Sequence, residues 1–334
     1  MSILSDLETI VPRTGMISWH EARFITGVAN AGAISSVPDH SGHGVTLTVA
    51  ANKPTLDIDR ANGREAIMFD GSNDPLIYGS ALDQPKHIFT IAAYDDDTFA
   101  GYSGLIGPIT SGADILVGED GGTKFFNFTH GANYSYKRRA VALAESDQQA
   151  PMNDSLMIME VVDSDGLSLT DFEIGQHRDH VDRKWNGPFV LNIMWSRILA
   201  DVEVAAMYEY IACVYKLWRQ TASGLNIWPF DPDWGRPMPR HKPVLSSTAV
   251  SGSSKSRSKG DKKRSVDAKF EDRFPEEFLA GEAFWDDHYP GTSFNYRDAA
   301  VSPSQDITMR FTSDLQEQSS DYRSSSYSFQ ATEV

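Results

Sequence analysis

The chain has 334 residues, a formal net charge of -16, 40% hydrophobic and 11% aromatic residues, and a mean hydropathy of -0.36. This composition can build a substantial core but excludes general affinity for nucleic acid, which needs clustered Lys and Arg to release counterions from phosphate. Cys213 is the only cysteine, so an internal disulfide is excluded and folding in a reducing cytoplasm is expected. The opening MSILSDLETIVPRTG lacks the basic start and apolar core of a secretory signal, and no stretch of about 18 apolar residues offers a bilayer span, so no membrane insertion is expected.

In chain order, short apolar runs recur between turn residues: Gly44 to Ala50, Glu65 to Phe69, His87 to Tyr94, Asp114 to Val117, Lys124 to Phe128, Ser155 to Val162, Phe172 to Gly175 and Phe189 to Trp195. Each has the length of a strand, with Gly, Asn, Asp or Pro between them. A helical period follows in Val204, Met207, Tyr208, Ile211, Tyr215 and Trp218, with Asp201 as its cap. One late helix beside many strands predicts an all-β sandwich over residues 1–222. Trp19, Trp195 and Trp218 fall on strand or helix positions and are expected in the core, as is the Cys213 thiol.

Residues 223–334 read differently, as a long, mostly irregular C-terminal arm. Over 226–243, five prolines are interspersed with Trp228, Phe230 and Trp234, which suits either an extended strap laid on the sandwich or on a neighbour, or a linker that tucks its Trp residues into its own domain. A Ser-rich stretch over 246–265 places six positive charges in the ten residues Lys255 to Arg264. Over 266–334, Phe270, Phe274, Phe278, Phe284, Trp285 and Tyr289 punctuate an acidic chain, the pattern of a segment that orders on a partner. Pro275 is expected to interrupt a helix through the first three, and Ile307, Met309 and Phe311 alternate as an added strand would. The charge is uneven: residues 1–224 hold 16 Lys+Arg against 29 Asp+Glu, net -13, and 225–334 hold 14 against 17, net -3. The basic run could touch DNA or an acidic protein, for which the first part of the chain offers a surface within the same assembly, although a flexible, solvated linker is the favoured reading.

Asp39-His40-Ser41-Gly42-His43-Gly44, Lys53-Pro54-Thr55-Leu56 and Ala66-Ile67-Met68-Phe69-Asp70-Gly71-Ser72-Asn73-Asp74 resemble the opening strands of concanavalin A-like, laminin-G-like jelly rolls. Ile174-Gly175, the Trp185-Asn186-Gly187 turn, the strand Phe189 to Trp195, Ser196-Arg197 and the helix Val202 to Leu217 resemble that family's closing pattern. Such domains, with a long aromatic-studded arm, resemble structural proteins of tailed bacteriophages. The resemblance implies a non-enzymatic virion protein made in the host cytoplasm and present in several copies. It would decorate the capsid or associate with tail or fibre, its arm fastened to capsid, tail or portal-region subunits.

The residues leave other chemistry open. The fold's glucanases use Glu-x-Asp-x-x-Glu with carboxylates about 5 to 5.5 Å apart; the nearest match, Glu145-Ser146-Asp147-Gln148-Gln149-Ala150, ends in alanine, so glycoside hydrolysis is the least favoured function. His177, Asp179, His180 and Asp182 are metal-ligand types within six residues, although on an extended strand the two histidines face apart. Asp95-Asp96-Asp97 could hold calcium but also suits a hairpin turn. Tyr102 and Trp185, expected in loops, could stack on a host-surface sugar in a lectin-like, carbohydrate-binding module.

Overall fold

The computed structural model describes residues 7–49, 52–72, 75–79, 82, 84–109, 115–118, 120–126, 134–138, 141–143, 155–165, 172–176, 183–218, 265–273, 275–289, 292–298, 305–311, 316–321 and 324–333. The chain divides into two compact units: Ile10–Met207, and Tyr208–Val334 with Met1–Thr9.

The first unit is a β-sandwich. Its strands are β1 (Met16–Glu21), β2 (Ser36–Val37), β3 (Leu47–Val49), β4 (Thr55–Asp57), β5 (Ala66–Asp70), β6 (Leu76–Tyr78), β7 (His87–Ala92), β8 (Gly104–Pro108), β9 (Leu116–Gly118), β10 (Phe125–Phe126), β11 (Tyr134–Arg138), β12 (Val141–Leu143), β13 (Met157–Asp163), β14 (Phe172–Ile174) and β15 (Asn186–Trp195). One antiparallel sheet runs β12-β11-β13-β7-β15-β5-β4, with β1 also paired to β15; the other runs β10-β9-β8-β14-β6-β3-β2. The ten-residue β15 pairs with β7 along most of its length, with β5 through Asn186 to Phe189 and with β1 through Leu191 to Trp195.

The core is one cluster drawn from both sheets, including Ile67, Phe69, Ile88, Met159, Val161, Phe189 and Met194 from the first and Leu47, Leu76, Leu105, Leu116, Phe172 and Ile174 from the second. Successive strand side chains point to opposite faces, so these residues mark the interior face of each strand. Central strands are buried throughout, as along β7, and read as continuous apolar runs rather than alternating ones. Gly71 closes the turn after β5 at φ +71°, a conformation that glycine adopts without a Cβ penalty.

Helix α1 (Asp201–Tyr215) follows the sandwich and spans the boundary between the units. Asp201 is its first residue rather than its cap. The capping contact comes from Glu203, whose Oε2 accepts the Ala200 N–H at 2.9 Å while Arg197 grips both carboxylate oxygens at 2.7 and 2.5 Å. Lys216 ends the helix in the left-handed region, at φ +53°.

The C-terminal region departs from the expected irregular arm over residues 265–333. Five strands, β16 (Ser265–Arg273), β17 (Phe294–Asp298), β18 (Gln305–Phe311), β19 (Gln316–Asp321) and β20 (Ser324–Glu333), form an antiparallel sheet in the order β16-β20-β18-β17, with β19 also paired to β20. Helix α2 (Pro275–His288) packs on β18 and β20. Pro275 does not break this helix. It begins it, where the missing N–H is not needed and the fixed φ suits the first turn. Val266 pairs with Ala331, Ala268 with Phe329 and Phe270 with Tyr327, so the register matches apolar positions with apolar ones.

Ala280, Phe284, Phe294, Met309, Phe311 and Ala331 are buried in this unit. Phe284 stacks on His288 at 4.1 Å, Phe294 stacks on Phe311 at 4.4 Å, and Trp218 meets Phe284 edge-on at 5.4 Å while its Nε1 donates to Asp287 Oδ2 at 3.2 Å. Phe284 was expected to anchor a partner, but it is a core residue of its own unit. Met309 and Phe311 lie on a strand as expected, and that strand pairs within the unit.

Candidate functional site

Of the residues singled out for ligand binding, Asp95, Asp96, Asp97, Tyr102 and Trp185 lie at one end of the sandwich, where β7 runs into the segment 93–103 and β15 begins. Backbone bonds hold this rim: Asp95 N–H donates to Asn186 O at 3.0 Å, Ala93 N–H to Pro188 O at 3.0 Å and Gly104 N–H to Arg183 O at 3.3 Å. Gly187 sits at φ +134°, and a Cβ there would lie 2.5 Å from Ala93 O, so the strands meet this closely only because the residue is glycine.

Trp185 is wholly buried, which corrects its placement as an exposed sugar platform. Its Nε1 donates to Ala93 O at 3.0 Å, and its ring packs among Tyr94, Phe99 and Phe125. The alternation of Trp185 with the polar Lys184 and Asn186 resembles a loop in sequence, but the large ring fills the end of the sandwich. Tyr102 is half-buried, and the Arg183 guanidinium lies 5.3 Å from its ring centroid, covering one face and leaving the ring beside a cation.

Polar pairs lie at the same end of the sandwich. Arg60 NH2 stands 3.7 Å from Asp95 Oδ1, and Asn186 Nδ2 donates to Asp96 Oδ2 at 3.1 Å. Burial pushes the Asp95 carboxyl above the usual aspartate range; Asp96 adds to this and Arg60 opposes it. Carboxylates, a guanidinium, an amide and an aromatic edge together can exchange hydrogen bonds with a hydroxyl-rich ligand. Arg60 and Asn186 were not singled out from the sequence, because each lies far along the chain from Asp95 and only strand pairing brings them together.

Among the described residues, no group of three or more His, Cys, Asp or Glu side chains is placed to hold a metal ion, Asp95, Asp96 and Asp97 included. His177, Asp179, His180 and Asp182 lie outside the described residues, as do Glu145 to Ala150 and the strap residues Trp228, Phe230 and Trp234. Phe274 also lies outside them, while Phe270 falls on β16 and Phe278 on α2. Trp285 and Tyr289 stack on one another at 4.4 Å and are half-buried, beside the exposed Asp286 and Asp287.

A second polar group lies inside the sandwich. Ser18, His20 and Asp39 have the composition of a nucleophile relay but are arranged otherwise. Asp39 accepts from the backbone of Trp19, Ser41 and Val45 and from Ser41 Oγ, which organises the segment 39–45. Although burial opposes it, these bonds hold the Asp39 carboxyl below its ordinary value. His20 Nε2 is engaged with Val45 O at 2.6 Å, and both Ser18 and His20 are wholly buried, out of reach of a substrate.

On the opposite face of the same sheet, His87 Nδ1 accepts the Leu199 N–H at 3.2 Å, which places its proton on Nε2, 3.2 Å from Glu160 Oε1; Lys137 Nζ meets the same oxygen at 2.6 Å. Burial works against ionisation of Glu160, yet His87 and Lys137 together lower its carboxyl below the glutamate value. This group ties the segment leading into α1 to the sheet.

No protein-family model matches the chain, and no curated protein matches it. The solved structures it resembles include Trypanosoma rangeli sialidase in complex with sialic acid, at 16% identity and a TM-score of 0.39, covering 59% of this chain and 33% of that one. The covalent intermediate of the same sialidase with 2,3-difluorosialic acid gives 15% identity and a TM-score of 0.38, covering 58% and 32%. The chain thus spans about a third of the length of these proteins. Because they are enzymes, the expectation of a non-enzymatic chain is corrected and not carried forward; at these TM-scores the likeness argues nothing further about its chemistry.

Proposed function

We propose that this chain is a structural component of a tailed-bacteriophage virion, made in the host cytoplasm and assembled in several copies. Its sandwich, of the concanavalin A-like, laminin-G-like jelly-roll kind, is displayed outward, and its C-terminal unit engages capsid, tail or portal-region subunits. The observation that carries this reading is the construction of that unit. It has its own small core of Phe284, Phe294, Met309 and Phe311 and a sheet whose edge, β16, is nine residues long. An edge strand offers a row of backbone donors and acceptors to an added strand from a neighbour. Immunogold electron microscopy of particles purified from the source, with antibody against the full chain, tests this: regular labelling of head or tail supports it, and unlabelled particles refute it.

The rim favours a second reading, recognition of a host-surface glycan. Tyr102 with Arg183, and Asp95 with Arg60, supply an aromatic edge and paired donors and acceptors at the end of the sandwich. Saturable binding of the full chain on a broad glycan array, lost on Tyr102→Ala, supports this reading; a flat response across the array removes it.

A further inference from the structure

Strand β16 is an outer strand of the C-terminal sheet, and among the described residues it pairs only with β20. Its register divides its residues between two faces. Val266, Ala268 and Phe270 stand opposite Ala331, Phe329 and Tyr327. Ala331 in turn pairs with Phe311, which meets the Phe284 ring, so this is the face that carries α2. Asp267 and Lys269 alternate with them on the other face, where their positions on β20 are held by the uncharged Gln330 and Ser328. Thus β20 matches the apolar face in kind but sets no opposite charge across from either charged residue.

An outer strand presents backbone donors and acceptors along its free side, and a second strand can add there. When two identical strands pair antiparallel about a two-fold axis normal to the sheet, residues that face each other must lie on the same face. An axis at Ala268 satisfies this. It sets Asp267 opposite the partner's Lys269, Lys269 opposite the partner's Asp267, and Val266 opposite the partner's Phe270, with the small Ala268 facing its own copy. An axis at Asp267 or Lys269 instead sets that charge against itself. An axis at Phe270 carries the pairing through residues 271–273, where the β16–β20 register shifts in a bulge and the alternation of faces is lost.

We propose that β16 is a self-docking edge: two copies of this chain join antiparallel through β16 about a two-fold axis at Ala268, making one continuous sheet of their C-terminal units. Opposite charges face each other on one side of that sheet and apolar residues on the other, and like-charge clashes penalise the neighbouring registers. The bulge after Phe270 ends the ladder. The pairing rests on the open edge that the virion reading assigns to β16, with a second copy of the chain as its occupant. Self-association in solution can fail while particle labelling succeeds, or the reverse.

Sedimentation velocity of the full chain over a concentration series tests this. The expected result is a reversible equilibrium between the monomer and a dimer of twice the 37.0 kDa chain mass. Asp267→Lys and Lys269→Asp should each raise the dissociation constant about tenfold or more, because two attractive pairs become two repulsive ones. An equal mixture of the two variants should recover the dimer, since a strand with one sign at positions 267 and 269 then faces a strand with the other. Misfolded chains could not give that recovery. The double variant Asp267→Lys with Lys269→Asp should dimerise like the unaltered chain. A monomer at every concentration, an assembly larger than two, or a dimer that both single variants leave unchanged overturns the proposal, as does a mixture that stays monomeric.

Discussion

Acidification should weaken the sandwich through His20. Burial lowers this imidazole from 6.5 to about 4, with the Val45 carbonyl and Asp39 only partly opposing the shift. Between these values the unfolded chain binds a proton that the folded chain refuses, so stability falls as pH drops from 6.5 towards 4 and levels off below. From pH 7 to pH 5 the expected loss is about 2 kcal/mol, from the ratio of protonated fractions in the two states. The carboxylates held below their ordinary values, Asp39 and Glu160, also lose stabilisation on acidification, but mainly below about pH 4.5. Glutamine can keep the donor to Val45 O without titrating, so urea unfolding followed by tryptophan fluorescence, at pH 7 and pH 5, should show His20→Gln losing about 2 kcal/mol less than the unaltered chain over this interval. Equal losses in both proteins would refute the assignment of a buried neutral imidazole at this position.

Three further outcomes are expected. Gly187→Ala should cost at least about 2–3 kcal/mol in thermal unfolding, because the left-handed backbone at φ +134° and the Ala93 carbonyl 2.5 Å from the new Cβ both resist it. Trp185→Ala should cost about 3–5 kcal/mol, whereas Tyr102→Ala at the rim should stay within about 0.5–1 kcal/mol, a contrast that calorimetry separates. Phe284→Ala should strip hydrogen-exchange protection from the amides of β18 and β20 while those of β7 and β15 keep theirs, since its ring belongs to the C-terminal core.

Much of the sandwich was legible in the sequence because its central strands are apolar on both faces and bounded by glycine, asparagine and aspartate. Phe189 to Trp195 and His87 to Ala92 are such strands, and the spacing from Val204 to Tyr215 marked α1. Short edge strands such as β2 and β10 carry too few residues for a period. The polar strand β1 was hidden because its pattern of Ser18, His20 and Glu21 makes sense only once partners for those groups are in place. In the C-terminal region serine and charge dominated the composition, and the pairing of Val266, Ala268 and Phe270 with Ala331, Phe329 and Tyr327 spans about sixty residues, beyond any local window. Pro275 was misread because one residue type both starts and breaks helices, and the start of the chain's turn decides which.

By itself, then, the sequence determined the class of the first unit, the burial of Trp19, Trp195, Trp218 and Cys213, and the position of the late helix, since local period and hydrophobicity encode these. Tertiary structure alone decided that Trp185 is core and Tyr102 is rim, that Phe284 serves its own unit, and that Arg60 stands against Asp95. Each of those depends on residues distant in the chain arriving at one place, and whether a ring is a platform or a core follows from what packs against it.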